Sequence, residues 1–256
     1  MSEQIPLVTF AVPSFNQGAY LDKALSSIFE QDIPCEVFVL DGGSTDNSLT
    51  IIEKWSDRLT GWRSHKDAGQ SAAINEGIAA GTAPFVAWLN SDDWLLQGGL
   101  SLLIETLQTS DTVPVVYGKG YDFIQKNQKL KRLWVEPFDV SRLALRCIIS
   151  QPATLIRRSA WQAVGGLNEN LRMAMDYDLW WRLYNRFGSF EFINQDIAVN
   201  RVHALTKTTN YRRLHYQEAM AVVKREYGSV PAKWWLLQPY AVWLKTLFAF
   251  LQRSET

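Results

Sequence analysis

The chain predicts an α/β fold, a mostly parallel sheet flanked by helices. Short apolar runs alternate with stretches of helical periodicity, and the connections between them are short. The runs are apolar almost throughout, as strands read when helices cover both faces of a sheet.

Residues 7–12 are a buried-strand run, and 20–31 show helical spacing through Leu21, Ala24, Leu25, Ile28 and Phe29. Residues 36–40 give a second strand and 47–55 a second helix. A weak strand at 62–65 precedes a helix at 71–80, and the strand 85–89 runs into Asn90-Ser91-Asp92-Asp93. A helix at 98–109 and a strand at 113–117 follow. The pattern then loosens, and 121–134 reads as a hairpin turning at Lys126-Asn127-Gln128-Lys129. Short helices near Ser141 and Ser159 surround a strand at 154–156. A firmer helix spans 176–187, a late strand 198–203 and a helix 211–227. No linker or repeat divides the chain, so the expected organisation is one large unit, 1–228, with a tail, 229–256.

Composition narrows function. Lys and Arg number 26 and Asp and Glu 26, a formal net charge of zero that argues against a general nucleic-acid binder. Cys35 and Cys147 are too few for a disulfide framework or a Cys-rich zinc site, so a reducing compartment is the default. The start Met1-Ser2-Glu3-Gln4 has no basic n-region or apolar h-region, and a cytoplasmic chain is expected.

Two strand ends carry carboxylates, and open α/β sheets bind ligands at the carboxyl ends of their strands. Asp92 and Asp93 there suit a hard divalent cation, Mg²⁺ or Mn²⁺, holding a diphosphate. A helix cap accounts for the same residues equally well. In Asp41-Gly42-Gly43-Ser44-Thr45-Asp46, Asp41 can present a carboxylate to a base or ribose, while Ser44, Thr45 or Asp46 suits an N-cap. No Gly-x-Gly-x-x-Gly follows the first strand, which disfavours a dinucleotide-binding dehydrogenase.

Pro13-Ser14-Phe15-Asn16 and Val39-Leu40-Asp41-Gly42-Gly43-Ser44-Thr45-Asp46 resemble the opening of family 2 glycosyltransferases with the GT-A fold. So do Asp67-Ala68-Gly69-Gln70-Ser71-Ala72-Ala73-Ile74-Asn75-Glu76-Gly77 and Trp88-Leu89-Asn90-Ser91-Asp92-Asp93. Gln151-Pro152-Ala153-Thr154, Gly165-Gly166-Leu167 and Asp176-Tyr177-Asp178-Leu179-Trp180 extend the match, in the family's order, from about Val8 to His203.

The resemblance implies an inverting, metal-dependent transfer of a sugar from a nucleotide donor, with a UDP-sugar expected. The acceptor would be a hydroxyl of a glycan or lipid-linked oligosaccharide in a bacterial surface-glycan pathway. By the same resemblance Asp41 reads the uracil, Pro13 lines that pocket, and Asp67 is a second base or ribose contact. Asn90 and Ser91 occupy the Asp-x-Asp place beside the nucleotide, and Asp92 is the principal ligand of Mn²⁺ or Mg²⁺. His203 closes over the diphosphate or metal, Asp176 is the general base, and Gln151 lines the acceptor side. Asn90 stands where many relatives have Asp, and Gly42 where an acid is common.

The residue types fit that chemistry independently: a cation neutralises a leaving diphosphate and a carboxylate deprotonates an attacking hydroxyl. Asp176 also suits a first-turn acid of its helix, and Asp178, two residues on, should face away. His203, near Arg201, Thr206, Lys207 and Thr208, is a phosphate-side group or a merely hydrogen-bonded histidine. A nucleotidyltransferase is the rival enzyme, but Pro13-Ser14-Phe15-Asn16-Gln17-Gly18 lacks its basic Gly-rich loop. A non-catalytic nucleotide-binding scaffold is the rival of another class.

In the tail Tyr240, Trp243, Leu244, Leu247, Phe248 and Leu251 fall on one helical stripe. Pro239 and Lys245 argue against a span. The stripe fits packing on the core, a second subunit, or a membrane interface, and the resemblance favours peripheral contact through 234–252 on the inner face of the membrane.

Overall fold

The computed structural model describes residues 5–204 and 206–244. Strand β1 (Val8–Ser14) leads through α1 (Gly18–Phe29) to β2 (Cys35–Asp41), then α2 (Ser48–Trp55) and β3 (Gly61–Ser64). Next come α3 (Gln70–Ala80), β4 (Phe85–Trp88), β5 (Trp94–Leu95), α4 (Gly99–Gln108), β6 (Val115–Ile124) and β7 (Lys129–Arg132). The rest comprises α5 (Val140–Leu145), β8 (Thr154–Arg157), α6 (Arg158–Ala163), α7 (Met175–Phe187) and β9 (Glu191–Val202). Helices α8 (Lys207–Asn210), α9 (Arg212–Tyr227) and α10 (Ala232–Gln238) close it.

The strands share one sheet in the order β3-β2-β1-β4-β8-β6-β9-β5, with β7 on β6. Strands β3, β2, β1 and β4 are mutually parallel, joined by crossovers through α1, α2 and α3. Strand β8 runs antiparallel between β4 and β6, and β9 is parallel to β6. The parallel character expected from the repeated βα units therefore belongs to the first half, and the second half is mixed.

Successive residues of the central strands feed opposite faces. Val8, Phe10, Val12, Phe85, Ala87 and Leu89 join one core, with Leu21, Leu25 and Ile28 of α1. Ala11, Val86 and Trp88 join the other, beneath α3 and α7. Helix α3 sits tightly on the sheet because residue 77 is glycine; a Cβ there would meet Ala11 Cβ at 2.8 Å.

Several boundaries differ from the sequence reading. The strand at 113–117 and the first arm of the hairpin are one strand, β6, whose irregular register with β9 near Tyr117–Gly120 interrupts the periodicity. The hairpin itself is present, Ile124 facing Lys129. Strand β9 begins at Glu191, where a polar run hid it. Strand β5 is too short to show a pattern, and it exists through pairing with Val199 and Ala198. Helix α10 precedes the expected stripe, with a wider helical turn over Pro239–Leu244. Leu247, Phe248 and Leu251 lie outside the described residues. Among those described, no helix is long and apolar enough to cross a membrane.

Candidate active site

The register aligns Ser14 with Asp41, and Asp41 with Ser64, so β1, β2 and β3 end together, beside the Asn90–Asp93 turn that follows β4. The candidate residues collect along that edge.

On the β1–β2 side the turn is laced to itself. The Asp41 carboxylate is fully buried and accepts from Gly43 N (3.0 Å), Ser44 N (2.8 Å), Ser44 Oγ (2.5 Å) and Ser64 Oγ (2.7 Å). Gly43 has φ of +83°, the left-handed conformation that lets the chain fold back over this carboxylate. Asn16 accepts from Thr45 N, and Asp46 accepts from Gly18 N and Ser48 N, linking the starts of α1 and α2. The structure thus places the Asp41 carboxylate inside its own turn, and Pro13 lies buried in β1.

Asp67 is more open than Asp41. It is partly open, accepting from Gly69 N (2.9 Å) and Arg63 Nη1 (3.0 Å). A Cβ on Gly42 would press on Phe15 Cδ2 at 3.3 Å and lie in ordinary contact, 3.7 Å, with Asp67 Oδ2.

The β4 mouth separates two adjacent carboxylates. Asp92 Oδ2 lies 2.9 Å from His203 Nε2, and that ring stacks at a tilt on Tyr20. Asp93 turns inward, accepting from Arg201 N (2.9 Å) and Asn90 Nδ2 (3.0 Å). Burial, and then its neighbour Asp92, push the Asp93 carboxyl well above the usual range. Ser91 is buried. Asn90 also donates to Gln151 Oε1 (3.3 Å), and Gln151 Nε2 donates to Trp88 O (2.8 Å). Two expected residues, Asn90 and Gln151, are therefore in direct contact.

Asp92 and His203 supply one carboxylate oxygen and one imidazole nitrogen, a donor pair that fits Mn²⁺ or Mg²⁺ completed by phosphate oxygens and water. Among the described residues no group of three or more such side chains is gathered, so most ligands would come from substrate.

Asp176 sits in the first turn of α7, half-buried, accepting from Tyr177 N at 2.8 Å. Burial raises its carboxyl above the ordinary value, against the lowering effects of that N–H and of nearby His215. The helix start is tied to α3, where Ser71 Oγ lies 2.9 Å from Met175 Sδ. Asp178 is fully buried and paired with Arg182 and Arg225, a structural role.

Sequence reasoning assigned no role to Gln70 and only a general one to Lys207. Lys207 Nζ donates to Gln70 Oε1 (2.7 Å), and Gln70 Nε2 donates to Asn90 Oδ1 (2.7 Å). Lys207 has an exposed stem, but burial of its ammonium end lowers its pKa, against the pull of Asp92 and Asp67. The signal was Gln70 within the Asp67–Gly77 motif, but its partner lies 137 residues away.

The model of the family described as Glycosyl transferase family 2 matches residues 9–165. The chain belongs to that family. An uncharacterised glycosyltransferase of Rickettsia prowazekii is 29% identical over 214 residues, covering 80% of this chain and 66% of that protein. Chondroitin synthase of Escherichia coli is 26% identical over 220 residues, covering 84% of this chain and 32% of the synthase. The chain thus spans only part of these family 2 relatives. Staphylococcus aureus TarS 1–349, solved with UDP-GlcNAc, superposes with a TM-score of 0.70 at 19% identity, covering 86% of this chain and 66% of that one. Mannosyltransferase PcManGT of Pyrobaculum calidifontis, solved with GDP-Man and Mn²⁺, gives 0.67 at 18%, covering 99% and 76%. These likenesses show the GT-A fold.

Proposed function

We propose that this family 2 chain is an inverting, metal-dependent glycosyltransferase that moves a sugar from a nucleotide donor, a UDP-sugar first, to an acceptor hydroxyl. The observation that carries this is the Asp92–His203 pair at the mouth of β4, with the Lys207 ammonium nearby and Asp176 beyond. Residues 1–228 form the catalytic unit and 229–256 the appended tail.

Asp67 and the Asp41 turn hold the nucleoside, and Asn90 and Ser91 shape the floor under the diphosphate. Asp92 and His203 would hold Mn²⁺ or Mg²⁺, which when bound supplies Lewis-acid neutralisation of the leaving diphosphate. Lys207 adds a positive charge on the same side. Asp176 accepts the proton of the acceptor hydroxyl as its oxygen bonds to the anomeric carbon. The bond from that carbon to the diphosphate oxygen breaks on the opposite face, and the configuration inverts. The raised carboxyl of Asp176 makes it a stronger base than a free aspartate. Gln151 lines the acceptor side. A glycan or lipid-linked oligosaccharide fits as acceptor, and the tail contacts the cytoplasmic membrane face.

Thermal unfolding with UDP, GDP and their sugars, each with and without Mn²⁺, tests the reading. A nucleotide at about 100 times its dissociation constant adds about 2.7 kcal/mol, a visible rise in melting temperature. The expected result is a Mn²⁺-dependent rise with UDP and one UDP-sugar. A rise with GDP alone moves the donor to a guanosine nucleotide, and no rise with any nucleotide overturns the site.

A further inference from the structure

We infer that the exposed apolar face of α10 and the turn after it docks on an anionic lipid bilayer, turning the acceptor side of the cleft toward the membrane. This rests on the proposed reaction only in assigning Asp176 to the acceptor side, and it gives the tail's membrane contact a face, a lipid charge and an orientation.

One side of α10 is committed to the protein. Trp234 is 9% exposed, its Nε1 donates to Ala144 O (2.7 Å), and its ring meets Tyr216 at 5.1 Å and Tyr177 at 6.5 Å. Val242, two turns on, is buried as well. The helix is therefore held in place before any partner arrives.

The other side is apolar and in water. Leu236 is 79% exposed and Trp235 58%, and Tyr240, Leu237 and Leu244 are exposed beside them. Scattered exposed apolar residues are ordinary, but five within ten consecutive residues form a patch. Aromatic and aliphatic side chains together suit the headgroup boundary of a bilayer.

Charge selects the occupant. The free charge beside the patch is positive, from Lys233 and Lys224, in a chain whose formal charge is zero. Lys233 is exposed on α10 itself, three and four residues before Leu236 and Leu237, hence on their face. Its stem can lie along apolar surface while the ammonium reaches phosphate. Lys224, also exposed, holds its Nζ 3.2 Å from Gly228 O where α9 turns toward α10. A two-fold dimer through this patch would bring the Lys233 charges of both copies into one apolar interface with no acidic residue exposed on α10 to offset them. An anionic leaflet makes the same charges attractive. The anchor also places α10 on the side of the molecule that carries Asp176, because Tyr177, which Trp234 meets, adjoins it.

The test is sedimentation of the whole chain with vesicles of phosphatidylcholine alone and of phosphatidylcholine mixed equally with phosphatidylglycerol. Binding to the mixed vesicles only, weakened by salt, is expected. The variant Leu236→Glu/Leu237→Glu should lose at least about tenfold in partition, since two apolar contacts go and two like charges arrive. Its melting temperature and nucleotide-induced rise should stay unchanged, which separates this inference from the donor site. Absence of wild-type binding to mixed vesicles overturns it, as does equal binding by the variant. A wild-type dimer in light scattering that the variant converts to monomer also overturns it, in favour of a second copy.

Discussion

On the β1–β2 edge of the cleft, carboxylates are ringed by donors: Asp41 takes four hydrogen bonds and Asp46 three. Beneath Asp176 the support is instead aromatic, with Trp88 on Trp180 at 6.0 Å and on Trp161 at 5.9 Å. There the indole N–H groups of Trp88 and Trp180 are buried without a partner. The donor edge is thus fixed by directional bonds and the acceptor floor by volume. The first should fail when one atom changes type, the second only when a ring is removed.

The largest expected effect is chemical. Asp176→Asn keeps the shape of the helix start but removes the proton acceptor, so kcat should fall about 10²–10⁴-fold. Nucleotide-induced stabilisation should be retained, since the donor edge is untouched. Steady-state turnover alongside thermal shift reads both, and an unchanged kcat removes Asp176 from the chemistry.

Two substitutions then probe the supports. Trp180→Ala empties a fully buried ring site and should cost about 3–5 kcal/mol in urea unfolding. Trp180→Phe keeps most of the volume and loses an N–H that bonds nothing, so about 1.5 kcal/mol or less is expected. A Phe variant as damaging as Ala would show that the N–H matters and break the contrast. Asp41→Asn is nearly isosteric, yet it turns an amide NH₂ toward N–H and O–H donors. It should cost about 1–3 kcal/mol and weaken nucleotide binding. A neutral Asp41→Asn would mean that the turn, too, is held by packing.

The same contrast explains what the sequence made legible. The donor edge is local and punctuated: Gly42-Gly43, the caps and the strand ends lie within a few residues of the groups they serve. The parallel strands show themselves through apolar runs. The acceptor floor joins Trp88, Trp161 and Trp180, far apart in the chain, and aromatic periodicity does not name partners. The inward turn of Asp93 and the Lys207–Gln70–Asn90 chain were hidden for the same reason. Even where a residue was picked out, its orientation was not readable: Asp41 and Asp92 look alike as strand-end acids, but only Asp92 stands partly open, with His203.

The smallest expected effect is a difference in pH response between the hydrogen-bonded carboxylates of the parallel half and the half-buried one at the start of α7. Burial alone would raise Glu36 and Asp46. Hydrogen bonds from Thr9, Ala83 and Thr82 to the first, and from Ser48 and Gly18 to the second, outweigh it and hold both below their ordinary values. A carboxyl with a lowered folded pKa adds stability that is present above its unfolded pKa and lost as pH falls through the folded one. Asp176 and Asp93 have raised folded values, so their contribution is present below the unfolded pKa and lost as pH rises through the folded one. Acidification from neutrality toward about pH 4 should therefore loosen the Asp46 turn at the donor edge, and the Glu36 contacts at the opposite, N-terminal end of β2, relative to α7. Hydrogen exchange, corrected for intrinsic rates, should show Gly18, Ser48, Thr82 and Ala83 amides losing protection before those inside α7. Glu36 and Asp46 are only partly shielded, so added salt should shrink the gap. The reverse order, α7 loosening first in acid, would overturn the contrast between these carboxyls, and simultaneous loosening would show that they respond to pH alike.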